Sequence, residues 1–312
     1  MPRSGLASVS VDLDSLSHYC RIHGLNEALL EERAQRLIYG TALARFEEVF
    51  VQARLPGTYF AIGSDLEAAA SREALQGAHA RGMEVASHSH SHDYALSRWT
   101  PEAIQADLQK AHDTLKSVTG KAPVGFRAPG YTLSPALLQA VQKMGYLYDS
   151  STFPAVPYYL AKALVMGTLA AFNRSSGAIL DSPRVLWAPT TPYRAHGDRP
   201  YVRAPDGLWE LPISTVPYTR FPFIGTFVLT FPEKLVSGMY QRLRQTRFLN
   251  FELHALDLLD AEDGLPRELV IRQRELRVPH RRKMERLSGL LSRMRQDFDV
   301  VTLAEAAARL SS

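Results

Sequence analysis

The sequence has a single cysteine, no apolar run long enough to span a bilayer, and almost no excess of either charge. One thiol, Cys20, excludes an intrachain disulfide and cannot by itself form a thiolate metal site, so any metal would need histidine and carboxylate ligands. The most apolar run, residues 158–172, includes one lysine and falls short of the roughly 20 residues that a transmembrane helix needs. The net charge of +4 arises from 36 basic and 32 acidic residues, so it indicates no nucleic-acid partner and no acidic tail.

The N-terminus passes after a few residues into an alternating, strand-like segment. That leaves no room for the apolar core of a secretory signal, and we expect a cytoplasmic protein. A chain of 312 residues with 46% hydrophobic residues can bury a large core, and barrels of alternating strands and helices commonly reach this length as one domain. We therefore predict one domain over residues 1–312.

Short segments rich in β-branched or aromatic residues alternate with helical segments along most of the chain. The predicted strands are residues 7–12, 57–62, 84–88, 124–127, 146–149, 208–213, 248–254 and 298–303. The predicted helices, with apolar residues at three- and four-residue spacing, include residues 33–53, 65–81, 101–118 and 134–144. This alternation predicts an α/β fold in which a parallel sheet closes, or nearly closes, into a barrel of seven or eight strands.

Residues 150–207 interrupt the alternation, and we predict a lid or substrate-binding insertion there, because long insertions in compact domains usually have such roles. Within it, the apolar run 158–172 would be a buried helix, an interfacial helix or a lid. A second apolar stretch covers residues 221–231. If both stretches were exposed, they would form a patch that needs a binding partner; if they packed against each other, no partner would be needed. The basic segment 267–295 fits an amphipathic helix with a solvated outer face; attraction to anionic lipid or a phosphate-bearing substrate is the alternative.

The residues capable of chemistry fall at the C-terminal ends of the predicted strands. They are Asp12 and Asp14 after the first strand, residues 88–92 after the third, Arg127 after the fourth, Asp149 after the fifth and His254 after the seventh. Active sites of such barrels lie on that face, in the loops that follow the strands, so these residues should converge.

Three histidines lie within five residues, at His88, His90 and His92. A pair four residues apart can bind one ion from a helical turn or a tight loop, and zinc accepts imidazole and carboxylate ligands while keeping a position open for water. In a strand all three would share one face, so the spacing alone leaves His90 open as a third ligand. Asp12 and Asp14 supply two carboxylates, of which one would bind the metal and the other would act as general base on the water.

Five motifs, in this order, resemble those of the polysaccharide deacetylase family, the NodB-homology group of carbohydrate esterase family 4-like proteins. They are Val11-Asp12-Leu13-Asp14, His88-Ser89-His90-Ser91-His92, Arg127-Ala128-Pro129, Tyr148-Asp149-Ser150-Ser151 and Phe251-Glu252-Leu253-His254. They extend over nearly the whole chain, and the Asp-X-Asp form is similar to a branch with peptidoglycan-deacetylase-like and allantoinase-like members. The resemblance implies a distorted, TIM-like (β/α)7-8 barrel and a metal-dependent hydrolase acting on carbon–nitrogen bonds other than peptide bonds.

The resemblance also implies a role for each matching residue. Asp14, His88 and His92 would be the metal ligands, which makes the middle histidine a spacer. Asp12 would be the general base, and Arg127 would pair with it and orient it.

His254 would be the general acid that protonates the leaving amine, and its apolar neighbours in the sequence would favour a pKa near neutrality by limiting hydration. Asp149 would orient His254. The backbone N–H of Gly130 would help to stabilise the oxyanion. Tyr131, which follows this glycine, and Trp209, a stacking platform for a sugar ring, are the other predicted substrate-binding residues.

The leading prediction is N-deacetylation of a poly-, oligo- or lipid-linked saccharide by water that one divalent ion activates. Two histidines and one aspartate suit Zn²⁺ first, and also Co²⁺, Ni²⁺ or Fe²⁺. A second hypothesis keeps the mechanism but changes the bond: removal of formyl or acetyl from a lipid-linked amino sugar at the inner membrane face, or hydrolysis of a cyclic amide. The apolar insertion beside basic helices favours peripheral contact with an anionic membrane or a lipid-linked substrate. A third hypothesis, a catalytically inactive carbohydrate-binding barrel, conflicts with the retention of every motif residue.

Overall fold

The computed structural model describes residues 5–30, 32–171 and 179–311. The strands within these ranges are β1 (Leu6–Asp12), β2 (Thr58–Ala61), β3 (Glu84–Ser87), β4 (Gly125–Phe126), β5 (Tyr148–Asp149), β6 (Tyr193–His196), β7 (Arg199–Arg203), β8 (Leu208–Glu210), β9 (Thr215–Val216), β10 (Phe221–Pro222), β11 (Phe248–His254) and β12 (Asp299–Val300). The α-helices are α1 (Leu16–Ile22), α2 (Glu32–Gln35), α3 (Leu43–Ala53), α4 (Ala69–Ala80), α5 (Pro101–Thr119), α6 (Pro135–Lys143), α7 (Val156–Ala171), α8 (Gly225–Thr230), α9 (Glu233–Leu243), α10 (Arg267–Arg272), α11 (His280–Asp297) and α12 (Leu303–Ser311).

The main sheet has the strand order β11-β1-β2-β3-β4-β5-β8-β6-β7, and β12 also pairs with β1. Every pairing from β11 to β8 is parallel, whereas β6 pairs antiparallel with both β8 and β7. The parallel strands are joined through helices, as the alternating sequence pattern predicts. The strands therefore present their C-terminal ends on one face, where the chemistry of such folds is placed.

Hydrogen bonds beyond the regular ladder bring the two ends of the parallel sheet together. The chain continues from β8 through residues 211–214, and the backbone N–H of Ser214 donates to the carbonyl of Asn250 in β11 at 3.0 Å. The Asn250 side chain donates in turn to Leu211 O at 2.9 Å and to Ser150 Oγ at 3.0 Å. The predicted distorted barrel is thereby confirmed, with a seam between β8 and β11 held by these bonds.

Side chains alternate across the two central strands of the barrel. In β1, Ala7, Val9 and Val11 join the hydrophobic core, whereas Ser8, Ser10 and Asp12 are buried polar residues. The parallel register places Ser8, Ser10 and Asp12 beside Asn250, Glu252 and His254 of β11. Because successive residues of a strand point to opposite faces, the apolar set packs under the helices and the polar set lines the inside of the barrel.

Between β5 and β8, the described residues include a helix and an antiparallel strand pair. The first is the apolar helix α7, and the second is the antiparallel pair β6 and β7, which extends the sheet beyond β8. Side chains at Leu160 and Leu164 are 58% and 69% exposed, so one face of α7 is apolar and open to solvent. None of the described helices is long and apolar enough to cross a membrane.

Candidate active site

Asp14, His88 and His92 converge at the C-terminal end of the barrel. The Asp14 Oδ1 atom lies 3.2 Å from His88 Nε2 and 3.0 Å from His92 Nε2. One ligand atom from each of the three residues lies within 4.8 Å of the other two, and all three residues are buried. These are the spacings and ligand types of a site for a single divalent ion.

The turn after β3 brings the two histidines of this group together. Ser89 and His92 both adopt positive φ angles, of 65° and 50°. The carboxylate of Asp107 accepts the backbone N–H groups of His90 and Ser91 at 2.8 and 3.0 Å, which holds the turn. His90 itself packs against Gly63, where an added Cβ would lie 2.6 Å from His90 Nδ1, so His90 is outside the ligand group.

The ligand atoms of Asp14, His88 and His92 are better suited to a bound cation than to hydrogen bonds with one another. Within the described ranges, Asp14 Oδ1 and both ring nitrogens of His92 are buried without a hydrogen-bond partner. Buried polar atoms are rarely left unpaired, and a divalent ion would satisfy these. His88 Nδ1 lies 2.8 Å from the carbonyl oxygen of Arg127, which fixes the ring and leaves Nε2 facing Asp14. Burial alone would raise the pKa of Asp14, but His92 and His88 hold it well below its usual range, so its carboxylate stays ionised.

Asp12 lies beside the metal-binding group and is paired with Arg127. Arg127 NH1 donates to Asp12 Oδ1 at 2.5 Å, and both side chains are fully buried. Arg127 NH2 also donates to Ser10 Oγ at 3.0 Å, and its guanidinium packs 4.0 Å over the ring of Phe60. The other carboxylate oxygen, Asp12 Oδ2, lies 3.9 Å from His88 Nε2 and faces the group of ligands.

His254 ends β11 directly beside Asp12 and has a partner at each ring nitrogen. Its Nδ1 lies 3.0 Å from Glu252 Oε1, and its Nε2 lies 2.9 Å from the hydroxyl oxygen of Tyr131. Burial alone would lower the pKa of His254, but Glu252, Asp14 and Asp12 raise it to about 9. Burial also raises the pKa of Glu252, to about 7, so the imidazolium and the carboxylate coexist between these two values.

Comparisons with known proteins agree with this geometry. The sequence profile of the family described as "Polysaccharide deacetylase" matches residues 38–148, which include His88, His92 and Arg127. The chain is 28% identical over 163 residues to the peptidoglycan deacetylase of Helicobacter pylori, and the match covers 51% of this chain and 54% of that protein. The chain thus spans about half the length of this curated relative.

Two solved structures share the fold. One, from Mycobacterium smegmatis and provisionally described as a polysaccharide deacetylase, has a TM-score of 0.62 at 15% identity and is matched over 100% of this chain and 91% of its own. The other, from Pseudomonas aeruginosa and described in the same provisional way, has a TM-score of 0.57 at 16% identity and is matched over 98% of this chain and 90% of its own.

The chain is thus similar to the polysaccharide deacetylase family over residues 38–148. The motif residues of the family that converge here are Asp12, Asp14, His88 and His92 with Arg127. Their side chains come from strands or loops that are distant in sequence, and the parallel sheet brings them to one end.

The fourth family motif does not occupy its predicted place. Asp149 accepts from Ser151 Oγ at 2.6 Å and hydrogen-bonds the carboxyl of Glu210, so it lies inside the barrel between β5 and β8. Glu252 occupies the position at His254 Nδ1 instead. The prediction that Asp149 orients His254 is therefore wrong, because β11 supplies its own carboxylate.

Trp209 is also outside the site. Its Nε1 donates to Ser311 Oγ at 2.7 Å in the C-terminal helix, and the guanidinium of Arg194 lies 4.4 Å over its ring. The neighbouring residue Glu210 points into the barrel, so the alternation of β8 turns Trp209 outwards. The prediction of a sugar platform at Trp209 is wrong for this reason.

Gly130 and Tyr131 lie at the edge of the site, next to the insertion. Gly130 has a φ of 62°, and its carbonyl oxygen lies 3.5 Å from Lys162 Nζ of α7. Tyr131 packs at 5.4 Å between ring centroids against Phe153, which in turn contacts Tyr158 of the same helix. Helix α7 thus adjoins the candidate site through Gly130 and Tyr131.

Two functional neighbours were absent from the sequence-based predictions. The motif analysis assigns no separate role to Glu252. Its two-residue spacing from both Asn250 and His254 nevertheless indicates a side chain inside the barrel. The buried ring of His18 lies 4.1 Å from that of His92, and burial lowers the pKa of His18 to about 2. A neutral ring at this position packs against His92 without adding a charge beside the Asp14, His88 and His92 group.

Proposed function

We propose that this protein removes the N-acetyl group from an N-acetylated saccharide in a hydrolysis that requires one divalent ion. The observation that carries the proposal is the meeting, at one end of the barrel, of the Asp14, His88 and His92 group, the Asp12–Arg127 pair and His254. A ligand group, a carboxylate base and a protonated acid are the three elements that metal-assisted amide hydrolysis needs.

Asp14, His88 and His92 would hold the ion, which when bound would polarise the acyl oxygen and lower the pKa of a water molecule. Zn²⁺ suits these ligands best, and Co²⁺, Ni²⁺ and Fe²⁺ are the alternatives.

Asp12 acts as the general base. Arg127 engages Oδ1 and fixes the plane of the carboxylate, while Oδ2 faces the ligand group without a hydrogen-bond partner in the described structure. Oδ2 is therefore the atom that takes the proton of the attacking water.

His254 acts as the general acid. Its raised pKa, about 9, keeps the ring protonated at neutral pH, and Glu252 holds the charged form. The Gly130 N–H contributes to stabilisation of the oxyanion. The next N–H along the chain, that of Tyr131, donates to Ala128 O at 3.0 Å in the same turn and so is already engaged.

The experiment is metal analysis together with acetate release from N-acetylglucosamine oligomers. His88→Ala should lose the ion and the activity, and Asp12→Asn should keep the ion but lose acetate release. His90→Ala is the matched control, since it removes an imidazole from the same turn and should retain both. A wild-type protein that binds no divalent ion after reconstitution, or that binds one and releases no acetate, would contradict the proposal.

A second candidate substrate is a lipid-linked amino sugar bearing a formyl or acetyl group. The exposed leucines of α7, Leu160 and Leu164, favour it, because they present an apolar face next to the edge of the site. This face would rest in the headgroup region of an anionic membrane while the sugar enters the barrel.

Vesicle binding tests the second candidate. Wild-type protein should co-sediment with phosphatidylglycerol vesicles, and the double variant Leu160→Ser/Leu164→Ser should not. Leu235→Ser in α9 is the control, because it removes a leucine that is 49% exposed on another helix. Equal sedimentation of wild type and double variant, or none by either, would leave the soluble saccharide as the substrate class.

A further inference from the structure

The hydroxyl of Tyr131 lies against Nε2 of His254, the atom that would donate a proton to the leaving amine. The phenol oxygen lies 2.9 Å from Nε2, while Nδ1 is held by Glu252 at 3.0 Å. Both ring nitrogens are thus engaged within the protein. A substrate amine cannot reach Nε2 directly while the phenol remains in this position.

The backbone conformation of Tyr131 aims its side chain at His254. Tyr131 has a φ of 61° directly after Gly130 at 62°, a left-handed conformation that bulky residues rarely adopt. Such a conformation is strained and persists only where the surroundings enforce it.

The surroundings of Tyr131 are a small apolar cluster. Its ring packs with Phe153, Ala155, Ile213 and Ile224, from the insertion, the barrel seam and the start of α8, and it is only 7% exposed. These contacts hold the phenol ring with its oxygen facing the imidazole of His254.

We propose that Tyr131 relays the proton from His254 to the leaving amine. Protonated His254 donates from Nε2 to the phenol oxygen at 2.9 Å, while Nδ1 faces the carboxylate of Glu252 at 3.0 Å. The phenol then has its own hydrogen free to point outwards, towards the scissile bond. The relay rests on the proposed amide hydrolysis and adds a second residue to its acid step.

The step balances in protons and electrons. As the C–N bond breaks, its electron pair stays on nitrogen, which takes the hydroxyl hydrogen of Tyr131. The phenol oxygen takes the Nε2 hydrogen, and His254 is left neutral with Nδ1–H still on Glu252. The proton taken from water by Asp12 leaves to solvent, and His254 regains one from solvent before the next turnover.

The first test is the dependence on the leaving group in zinc-loaded protein. Tyr131→Phe should lower kcat for deacetylation of N-acetylglucosamine oligomers by about 100-fold, the lower range of general acid catalysis, with KM little changed. Hydrolysis of p-nitrophenyl acetate should be retained, because its phenolate leaves without a proton. Tyr158→Phe is the matched control: it removes a hydroxyl from the adjacent ring and should alter neither reaction.

The second test uses metal-free protein and needs no activity. Histidine nitrogen NMR, with His254→Ala to assign the signals, should show a displaced His254 Nε2 resonance in Tyr131→Phe and an undisturbed one in Tyr158→Phe. An unmoved resonance would mean that the hydrogen bond is absent in solution and would overturn the relay.

The outcomes separate the two proposals. An active wild type whose Tyr131→Phe variant keeps or gains amide turnover would overturn the relay alone and make Tyr131 a plug that the substrate displaces. Equal losses on amide and ester would make Tyr131 a packing residue, which also overturns the relay. A wild type that loads zinc but hydrolyses no amide would overturn the proposed function and the relay with it.

Discussion

Arg127 and Asp12 form an ion pair with no exposure to solvent, and Arg127 is fixed by further contacts inside the barrel. Arg127 also donates to Ser10 and to the backbone and hydroxyl of Ser150, so its guanidinium joins three strands or strand ends. Buried pairs of this kind are costly to break, because the remaining charge is left without compensation.

Arg127→Met should therefore destabilise the protein by roughly 3–5 kcal/mol, since it leaves the carboxylate of Asp12 buried and unpaired. Urea unfolding followed by circular dichroism measures the change. Arg199→Met is the control, because its partner Asp198 is exposed and surface pairs contribute roughly 0–1 kcal/mol. Similar losses of unfolding free energy in the two variants would show that burial of the Arg127–Asp12 pair does not increase its contribution to stability.

Metal binding should stabilise the fold through Asp14, His88 and His92. At an ion concentration 100 times the Kd, the gain in unfolding free energy is about 2.7 kcal/mol. Thermal unfolding with zinc and after chelation should show this shift in wild type and in His90→Ala, and no shift in His92→Ala. A zinc-dependent shift that survives in His92→Ala would place the ion elsewhere.

The pH dependence of activity should report on Glu252. A raised His254 pKa of about 9 means that the protonated acid is present below that pH and lost above it. In Glu252→Gln the largest favourable charge is gone, so the alkaline limb of kcat/KM should move down towards the ordinary imidazole value of about 6.5. An unmoved limb would show that another group sets it.

The Asp149 and Glu210 carboxyls should make stability fall with rising pH. Burial raises the pKa of both, and they hydrogen-bond each other. The folded protein thus retains a proton that the unfolded chain releases in the ordinary carboxyl range, and stability declines as the pH rises above that range.

Glu210→Gln keeps the shape and removes one of the two titrating groups, so it should flatten this decline. Urea unfolding at about pH 5 and pH 8 measures the effect, with the exposed Glu73→Gln as control. A decline as steep as that of wild type would mean that the proton is held elsewhere.

The sequence is sufficient to predict the parallel strands and the polar residues at their C-terminal ends, because hydrophobic periodicity and strand-end placement are local signals. The strand Phe248–His254 has the predicted bounds, and the histidine motif follows β3 as expected. The predicted helix 33–53 is shorter in the structure, where α3 covers Leu43–Ala53 after a π-helical turn, Ile38–Ala42.

The errors arose where a side chain's direction depends on register across strands. Trp209 lies within the predicted strand 208–213, but only its pairing with Tyr148 of β5 decides which face it takes. Whether Asp149 or Glu252 lies beside His254 similarly depends on how closely β5 and β11 approach each other inside the barrel. The antiparallel strands β6 and β7 were missed because the insertion has no regular strand–helix alternation.

The pairing of β1 with β11 has a consequence for the order in which the site can form. The residues proposed as ion ligands and base lie between Asp12 and His92, on elements joined by β1, β2 and β3, which are near in sequence. The acid, His254, reaches its place only when a strand from the last quarter of the chain closes against the first. Closing so long a loop is entropically costly and slow relative to local pairing. During synthesis, the binding of the ion should therefore precede the completion of the proton-donating half.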